Sequence, residues 1–205
     1  MDRKAHWENV YTSKAFDQVS WYREHLDTSL GLILGTGVSK YAAVIDVGGG
    51  SSTLVDDLLD AGFVDVTVLD ISGQALEVTK KRLGPGGGDV KWVEGDVTRA
   101  KLPSNRFDVW HDRAVFHFLT DPEDRRKYVE LVKRSVKPGG HIIVASFGPG
   151  GPAKCSGLDV VRYSRDAMHA EFGKTFVLVD SVEETHNTPL GTGQEFVYCY
   201  CRMKK

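Results

Sequence analysis

Hydrophobic positions follow two alternating patterns along most of this chain. From residue 42 onward, short apolar runs of strand length alternate with amphipathic stretches of helical spacing. The predicted strands are Ala43–Asp46, Val66–Asp70, Val90–Glu94, Phe107–Trp110 and His141–Ser146. The predicted helices between them are Thr53–Ala61, Gly73–Leu83, Arg113–Leu119 and Pro122–Val136. This order predicts right-handed β-α-β units and a mainly parallel sheet covered on both faces.

The pattern changes after residue 147. A loop rich in glycine and proline, Gly148–Gly157, precedes a predicted helix at Ser164–Phe172. Two further β-like runs, Thr175–Glu183 and Glu195–Met203, are joined by a short turn-rich stretch, which favours an antiparallel hairpin over another crossover. We therefore predict an α/β fold with a mostly parallel sheet and an antiparallel terminal strand.

Length and composition are typical of one globular domain. The chain has 205 residues, of which 41% are hydrophobic and 26% are charged. We predict a single domain over residues 1–205, with a helical lid at residues 1–41 and a core at residues 42–205. The balance of 26 basic against 28 acidic residues, without a basic stripe, argues against a nucleic acid as the partner.

No stretch of the sequence predicts export or a membrane partner. Met1–Tyr11 is polar and charged, unlike the apolar core of a secretory signal, and the longest apolar runs have only strand length. Cys199 and Cys201 lie two positions apart in a β-like run, so we expect both to be small buried residues on one strand face. These features favour a reducing, cytoplasmic setting.

The strongest chemical signal is the run Val44–Leu54. An apolar strand leads into three consecutive glycines, Gly48 to Gly50, and then into serine and threonine at a predicted helix start. Glycine lets the backbone turn tightly and approach a ligand closely. The free N–H groups at the start of a helix favour polar or anionic ligand atoms. The run therefore predicts a ligand-binding loop.

Two acids follow at the ends of the next two predicted strands. Asp70 lies twenty positions after Gly50, where a carboxylate can accept hydrogen bonds from ribose hydroxyls. Its alternative role is that of an acid at the start of the next helix. Asp96 is placed to accept a hydrogen bond from an adenine amine, with Val97 packed on the base, and its alternative is a turn residue. The carboxyl ends of parallel strands line one crevice, so we expect these acids to share a site with the glycine loop.

These motifs, together with Phe107-Asp-Val and Val136-Lys-Pro-Gly-Gly140, resemble the ordered motifs of class I S-adenosylmethionine-dependent methyltransferases over roughly residues 44–147. The chain departs from that family at Ser52, where a third glycine is frequent. The resemblance implies a Rossmann-like fold of seven strands and S-adenosylmethionine as the cofactor. The cofactor-binding residues that it implies are Trp21, Asp46, Gly48, Gly50, Asp70, Ile71, Asp96, Val97 and His111.

In the resembling family, the loop after the fourth strand faces the sulfonium and the acceptor. His111 and Asp112 are therefore the candidate catalytic residues, because either side chain can remove a proton from the attacking atom. That role is optional, since a sulfonium is a good electrophile and alignment alone lowers the barrier. In the alternative, Asp112 caps the following helix and Arg113 forms a salt bridge. His117, which lies among aromatic residues, is predicted to be a packed histidine.

The N-terminal segment carries a second resemblance. His6-Trp-Glu-Asn-Val-Tyr11 and Val19-Ser-Trp-Tyr22 are similar to the W-[DE]-x-x-Y and W-[FY] motifs of methyltransferase-like proteins that modify lysines of translation elongation factors. In that family the region folds over the cofactor, and aromatic rings there exclude water and stack near the sulfonium. The alternative is that these rings only pack the first helix onto the sheet. The resemblance breaks at Asp112-Arg-Ala114, where those enzymes typically carry Asp-Lys-Gly.

The sequence therefore predicts methyl transfer to an acceptor that it does not identify. A small molecule is favoured over a protein, because only the N-terminal segment and two loops remain to build an acceptor pocket. A protein-lysine methyltransferase, an NAD-dependent oxidoreductase and a non-catalytic cofactor-binding protein are the alternatives, and the glycine spacing counts against the oxidoreductase. No metal is predicted, since Cys155 in the glycine-rich loop has no second ligand at suitable spacing. The oligomeric state is not indicated.

Overall fold

The structure, a computed structural model, describes residues 2–13 and 15–205. Its strands are β1 (Ala43–Val47), β2 (Asp65–Asp70), β3 (Lys91–Glu94), β4 (Phe107–Arg113), β5 (Val136–Phe147), β6 (Lys154–Cys155), β7 (Leu158–Asp159), β8 (Phe176–Asn187) and β9 (Gly193–Met203). Seven of them form one sheet in the order β3-β2-β1-β4-β5-β9-β8, and β6 pairs with β7 in a small separate hairpin. Within the large sheet β9 runs antiparallel to both of its neighbours, and the other pairs are parallel. The predicted α/β fold with a reversed terminal strand is confirmed.

Helices cover the sheet and the N-terminal region. They are α1 (Arg3–Ser13), α2 (Asp27–Gly35), α3 (Leu54–Asp60), α4 (Gly73–Leu83), α5 (Pro122–Ser135) and α6 (Arg165–Phe172). The start of α5 shows why these helices form where they do. Pro122 occupies the first turn, and the carboxylate of Asp121 accepts a hydrogen bond from the amide of Glu123. No helix within the described ranges, 2–13 and 15–205, combines the length and apolarity needed to cross a membrane.

The central strands of the sheet are buried on both faces. Side chains alternate along a strand, so β1 sends Ala43, Ile45 and Val47 into the core on one face and Val44 into the core on the other. Strands buried in this way have nearly continuous apolar runs, which explains why β1 and β2 could be predicted from the sequence. The carboxyl ends of the parallel strands are left as the edge where a ligand can be reached.

The predicted helix Arg113–Leu119 is wrong. Strand β4 continues further than expected, and only a short 3-10 turn, Phe116–Phe118, follows it. The break comes at Ala114, whose φ of 73° is left-handed and ends the strand abruptly. The carboxylate of Asp112 then accepts a hydrogen bond from the amide of Val115, which stabilises a tight turn in place of a regular helix.

Candidate active site

A cavity of about 840 Å³, partly open to solvent, lies at the carboxyl ends of the parallel strands. Strands β2 and β9 are four strand spacings apart in the sheet, about 19 Å, so the two ends of this cavity are built from different elements. We call the part beside β2 and β3 the carboxylate end; it is lined by Asp70, Ile71, Asp96 and Val97. We call the part beside β4, β5 and β9 the arginine end; it is lined by Trp21, Arg113, Phe147, Cys155, Gln194 and Phe196.

Asp70 is the most constrained group of the carboxylate end. One carboxylate oxygen accepts a hydrogen bond from the amide of Gly50 at 2.9 Å, and the other accepts one from the amide of Ser72 at 2.8 Å. Burial nevertheless raises the pKa of Asp70 to about 6, because removal from water disfavours the charged form more than these bonds favour it. Each oxygen has a second lone pair, so the carboxylate can still accept hydrogen bonds from a ligand.

The glycine loop is shaped by close packing. Gly48 lines the cavity with a φ of 72°, and a Cβ atom there would collide with the side chain of Val115. A Cβ atom at Gly50 would collide with Ala75 and with the carboxylate of Asp70. Gly48 therefore forms part of the wall, whereas Gly50 lies behind the wall and holds Asp70 in place.

Asp96 follows β3 on a turn of its own. One of its carboxylate oxygens accepts hydrogen bonds from the amide and the hydroxyl of Thr98, at 2.8 and 2.7 Å. The amide of Gly95 donates to the carbonyl of Asp70 at 2.8 Å, which ties the two acidic segments together. The structure therefore brings both predicted acids, with Ile71 and Val97 between them, to the same end of one cavity.

His111 and Asp46 form a buried pair on neighbouring strands. The two residues are in register on β4 and β1, and the Nδ1 atom of His111 lies 2.7 Å from a carboxylate oxygen of Asp46. The Nε2 atom of His111 lies 2.9 Å from the hydroxyl of Ser29 on α2. The pair borders a second cavity of about 460 Å³, which shares Gly48 and Trp21 with the first. The second carboxylate oxygen of Asp46 is buried without a hydrogen-bond partner, so one acceptor is still available there.

Asp112 lies on the opposite face of the sheet from His111, because successive side chains of a strand alternate. It is fully buried and accepts hydrogen bonds from the hydroxyl of Tyr128 at 2.7 Å and from the amides of Val115 and Phe116. Burial raises the pKa of Asp112 to about 7. It lines neither cavity. The two predicted catalytic residues are therefore separated by the sheet.

Aromatic residues of the N-terminal segment cover the cavity. Trp7 and Tyr11 of α1 and Trp21 all contribute to its wall. The ring of Trp7 packs edge to face against Trp21 and Phe118, with centroids 5.8 and 5.1 Å apart. The two alternatives raised by the sequence are thus compatible, since the same rings pack α1 onto the body and form the roof of the cavity.

Glu8 fastens α1 to the start of α4. Its carboxylate accepts hydrogen bonds from the hydroxyl of Ser72 and from the amides of Gly73 and Gln74, at 2.9 to 3.1 Å. Burial raises the pKa of Glu8, but these hydrogen bonds outweigh burial and hold the pKa below its ordinary value. A negative charge at a helix N-terminus is favourable. The sequence did not signal this contact, because its partners lie more than sixty positions along the chain.

Arg113 dominates the charge of the arginine end. Its guanidinium donates to the hydroxyl of Tyr198 at 3.1 Å, approaches a carboxylate oxygen of Glu184 at 3.4 Å and lies 4.2 Å above the ring of Phe196. Glu184 is shared with Arg23, whose guanidinium lies 2.9 Å away. The salt bridge that the sequence offered as the alternative role for Arg113 is present, although its partner comes from a distant strand.

The remaining wall of the arginine end was not predicted, apart from Cys155. Phe147 and Phe196 are paired in register on β5 and β9, and Gln194 shares a strand face with Phe196. The alternation of residues in β9 was the available signal, but it does not show which face meets a cavity. Cys155 reaches the wall from β6.

His117 is a packed residue, as the sequence predicted. It is fully buried between the rings of Phe118 and Phe147, and burial lowers the pKa of His117 to about 3. The histidine is therefore neutral at physiological pH. Among residues 2–13 and 15–205 there is no cluster of three or more histidine, cysteine or acidic side chains suited to a metal ion.

The fold is that of class I S-adenosylmethionine-dependent methyltransferases, and the comparisons with known proteins agree with it. Residues 44–140, which span β1 to the start of β5, match the family model described as a methyltransferase domain. The reversed strand β9 between β5 and β8 completes the arrangement that the resemblance implied. The match to a methyltransferase domain favours methyl transfer over the NAD-dependent oxidoreductase.

Individual relatives are similar over part of their length. The eEF1A lysine and N-terminal methyltransferase homolog of Drosophila melanogaster is 26% identical over 152 residues, which cover 69% of this chain and 22% of that protein. The demethylmenaquinone methyltransferase of Paenarthrobacter aurescens is 33% identical over 104 residues, covering 51% of this chain and 38% of that protein. The chain thus spans less than half the length of these two relatives.

Solved structures are similar over nearly the whole chain, and one of them illustrates the likeness. That structure was solved in work on the conversion of a disulfide bond into a thioacetal group during echinomycin biosynthesis. It superposes on this chain with a TM-score of 0.80. The match covers 98% of this chain and 92% of that one at 16% sequence identity. At this level of identity the likeness concerns the fold.

Proposed function

We propose that this chain transfers the methyl group of S-adenosylmethionine to a small-molecule acceptor. The observation that carries the proposal is one cavity that joins two carboxylates at strand ends to the arginine end, under a roof of aromatic rings. Residues 1–41 act as the lid of this cavity and residues 42–205 as the core of one domain; Met1 and Lys14 lie outside the described residues. A cytoplasmic location is part of the same proposal.

The carboxylate end suits the adenosine part of the cofactor. Asp70 accepts hydrogen bonds from the ribose hydroxyls with its remaining lone pairs, and Asp96 accepts one from the adenine amine. Ile71 and Val97 pack on the faces of the base. Bound S-adenosylmethionine supplies an electrophilic methyl group on its sulfonium.

The methionine part of the cofactor belongs beside Gly48 and the buried Asp46–His111 pair. The partnerless oxygen of Asp46 is an acceptor that suits an ammonium group. His111 is bonded on both ring nitrogens, so it positions Asp46. Gly50 acts through Asp70, and Trp21 covers the cofactor from above.

A catalytic role for His111 and Asp112 as bases stays a prediction, and the geometry supports positioning roles. Asp112 is enclosed by Tyr128 and by the turn that it caps, on the far side of β4 from His111. Alignment of the acceptor with the sulfonium then supplies most of the rate enhancement. Positioning without proton removal suits an acceptor that reacts without a strong base.

The shape of the arginine end favours a small acceptor. Its wall is formed by Trp21, by side chains of β4, β5 and β9 and by Cys155 of the small hairpin, and the cavity lies under the lid. A ligand that fits inside such a cavity buries most of its surface and excludes water from the reacting atoms. A folded protein can insert only a side chain.

Protein-lysine methylation is the second candidate. It is supported by the similarity to the Drosophila protein, which covers 69% of this chain, and by the Trp-Glu-x-x-Tyr segment of α1. The departure at Asp112-Arg-Ala114 counts against this candidate.

Two measurements test the proposal. Calorimetric titration with S-adenosylhomocysteine and, separately, with NADH is expected to show binding of the first alone. Labelled S-adenosylmethionine is then incubated with the protein and a cell extract, and the extract is divided by ultrafiltration into small molecules and proteins. Label in the small-molecule fraction supports the proposal, and label on protein lysines supports the second candidate. Binding of NADH, or of neither compound, contradicts the assignment of the site.

A further inference from the structure

The arginine end contains an excess of positive charge. The guanidinium groups of Arg113, which is buried, and of Arg23, whose side chain is 31% exposed, share the one carboxylate of Glu184. Burial lowers the pKa of His186 and of His117, the histidines near this cluster, so neither adds charge at neutral pH. The guanidinium of Arg113 faces a wall formed mostly by aromatic rings. Electrostatic interactions are stronger there than in water.

Within residues 2–13 and 15–205, no carboxylate or histidine lines the arginine end of the cavity. Among the described residues that line the whole cavity, the carboxylates are those of Asp70 and Asp96, and both lie at the carboxylate end. No histidine contributes to the lining. Glu195, the acid next to Gln194, lies on the other face of β9 and accepts a hydrogen bond from the amide of Gly150. An acceptor that must lose a proton during the reaction therefore finds no carboxylate or histidine base among the described residues of this wall.

Gln194 is the polar residue with unused hydrogen-bonding capacity in this wall. Its side-chain oxygen is buried and has no hydrogen-bond partner. An unpaired buried amide group costs free energy unless a ligand or a water molecule satisfies it. Because an amide carries both donors and an acceptor, Gln194 can turn its N–H₂ group toward a negatively charged ligand atom.

We propose that the acceptor is an apolar small molecule whose methylated atom is an anionic thiolate or phenolate, and that Gln194 and Arg113 determine this specificity. The inference rests on the proposed function and narrows its substrate class. A lysine ammonium group, by contrast, would approach the guanidinium of Arg113, whose partner carboxylate, that of Glu184, is already shared by two arginines.

This class of acceptor fits the chemistry without a base. Transfer of the methyl group to a thiolate or phenolate forms one S–C or O–C bond while the sulfonium–methyl bond breaks. The electron pair of the broken bond stays on the cofactor sulfur, which leaves S-adenosylhomocysteine and a neutral methylated product. No proton has to be removed in the step, which agrees with the enclosed position of Asp112.

The test uses probes of one size and different charge. Benzenethiol and benzylamine are titrated into the native protein saturated with S-adenosylhomocysteine at pH 8, and binding is followed by saturation-transfer NMR and calorimetry. Benzenethiolate is expected to bind at least about tenfold more tightly than benzylamine, which corresponds to about 1.4 kcal/mol. With S-adenosylmethionine in place of the product, methyl phenyl sulfide is the expected product.

The substitution Gln194→Glu tests whether Gln194 determines the preference for an anionic acceptor. Gln18→Glu is the matched control, because it introduces the same negative charge at an exposed position. Gln194→Glu is expected to weaken benzenethiolate binding about tenfold and to leave the affinity for S-adenosylhomocysteine unchanged. Gln18→Glu is expected to change neither affinity.

Three results overturn the inference: equal or tighter binding of benzylamine, no binding of benzenethiolate, or an unchanged affinity for benzenethiolate in Gln194→Glu. A native protein that does not bind S-adenosylhomocysteine contradicts the proposed function itself, so the two failures are distinguishable. Retained binding of S-adenosylhomocysteine in Gln194→Glu shows that the variant is folded.

Discussion

The two ends of the cavity are built on different principles. At the carboxylate end, Asp70 and Asp96 project from the ends of adjacent parallel strands, and backbone amides hold them in place. At the arginine end, Arg113, Gln194 and Phe196 come from β4 and β9, which are not adjacent in the sheet. The first end is local in sequence, and the second is assembled by tertiary contacts.

This difference shows which part of the molecule can vary independently. A carboxylate held by two backbone amides depends little on the side chains around it, so the carboxylate end suits a constant ligand. The arginine end depends on which side chains face inward, so single substitutions there can change the ligand without disturbing the other end. Three variants follow in order of decreasing expected effect. They separate the cofactor contact at the carboxylate end from the support that the turn after β4 and the lid give to the cavity.

Asp70→Ala should have the largest effect. Removing the carboxylate deletes the proposed ribose contact and releases the amides of Gly50 and Ser72. We expect the dissociation constant for S-adenosylhomocysteine, measured by calorimetry, to rise about ten- to a hundredfold. Asp60→Ala, at an exposed aspartate of α3, is the control and should leave it unchanged.

The pH dependence of S-adenosylhomocysteine binding in the native protein tests the same contact of Asp70. Since burial raises the pKa of Asp70 to about 6, the group takes up a proton as the pH falls through this value, and the protonated form is the poorer acceptor. Affinity for S-adenosylhomocysteine should therefore fall between pH 7 and pH 5 in the native protein. An unchanged affinity in Asp70→Ala would show that the ribose is bound elsewhere.

Asp112→Asn should change stability more than cofactor binding. The amide cannot accept all the hydrogen bonds that Tyr128 and the backbone amides of Val115 and Phe116 donate to the carboxylate. We expect a loss of about 1–3 kcal/mol in the free energy of unfolding, measured by urea denaturation. Unchanged stability together with a large fall in the rate of methyl transfer would instead support proton removal by Asp112.

Glu8→Gln should have the smallest effect of the three. The neutral amide keeps part of the hydrogen bonding to α4 but loses the interaction of a charge with the helix N-terminus. We expect S-adenosylhomocysteine to dissociate about two- to fivefold faster in stopped-flow measurements. Glu77→Gln, at an exposed position of α4, should have the native rate. If both variants release the ligand at that rate, Glu8 does not control opening of the lid.

Much of the fold was predictable, because the buried parallel strands have continuous apolar runs and the helices between them have clear start signals. Ser72 and Asp121, for example, cap α4 and α5 directly after turns. The one helix predicted wrongly, Arg113–Leu119, failed for a local reason. A left-handed Ala114 and the side chain of Asp112 together form a turn that no hydrophobic pattern indicates.

The site was predictable only in part. The strand-end acids and the glycines were found, since the carboxyl ends of parallel strands necessarily meet at one edge. Glu8 was missed because its partners lie more than sixty positions away, and Gln194 because the alternation along β9 does not show which face meets the cavity. His111 and Asp112 were both candidates for proton removal, but adjacent residues of a strand point to opposite faces, and Asp112 lines neither cavity.

The sequence by itself indicated the fold class, most strands and helices of the core and the carboxylate end, since these depend on short-range patterns of apolar, glycine and acidic residues. The tertiary structure decided which faces of β4 and β9 line the cavity, how α1 closes over it and which charges remain unbalanced inside. Those features depend on the pairing of Arg113 with Glu184 and on the register of β5 with β9. Such contacts join segments that only the folded chain brings together.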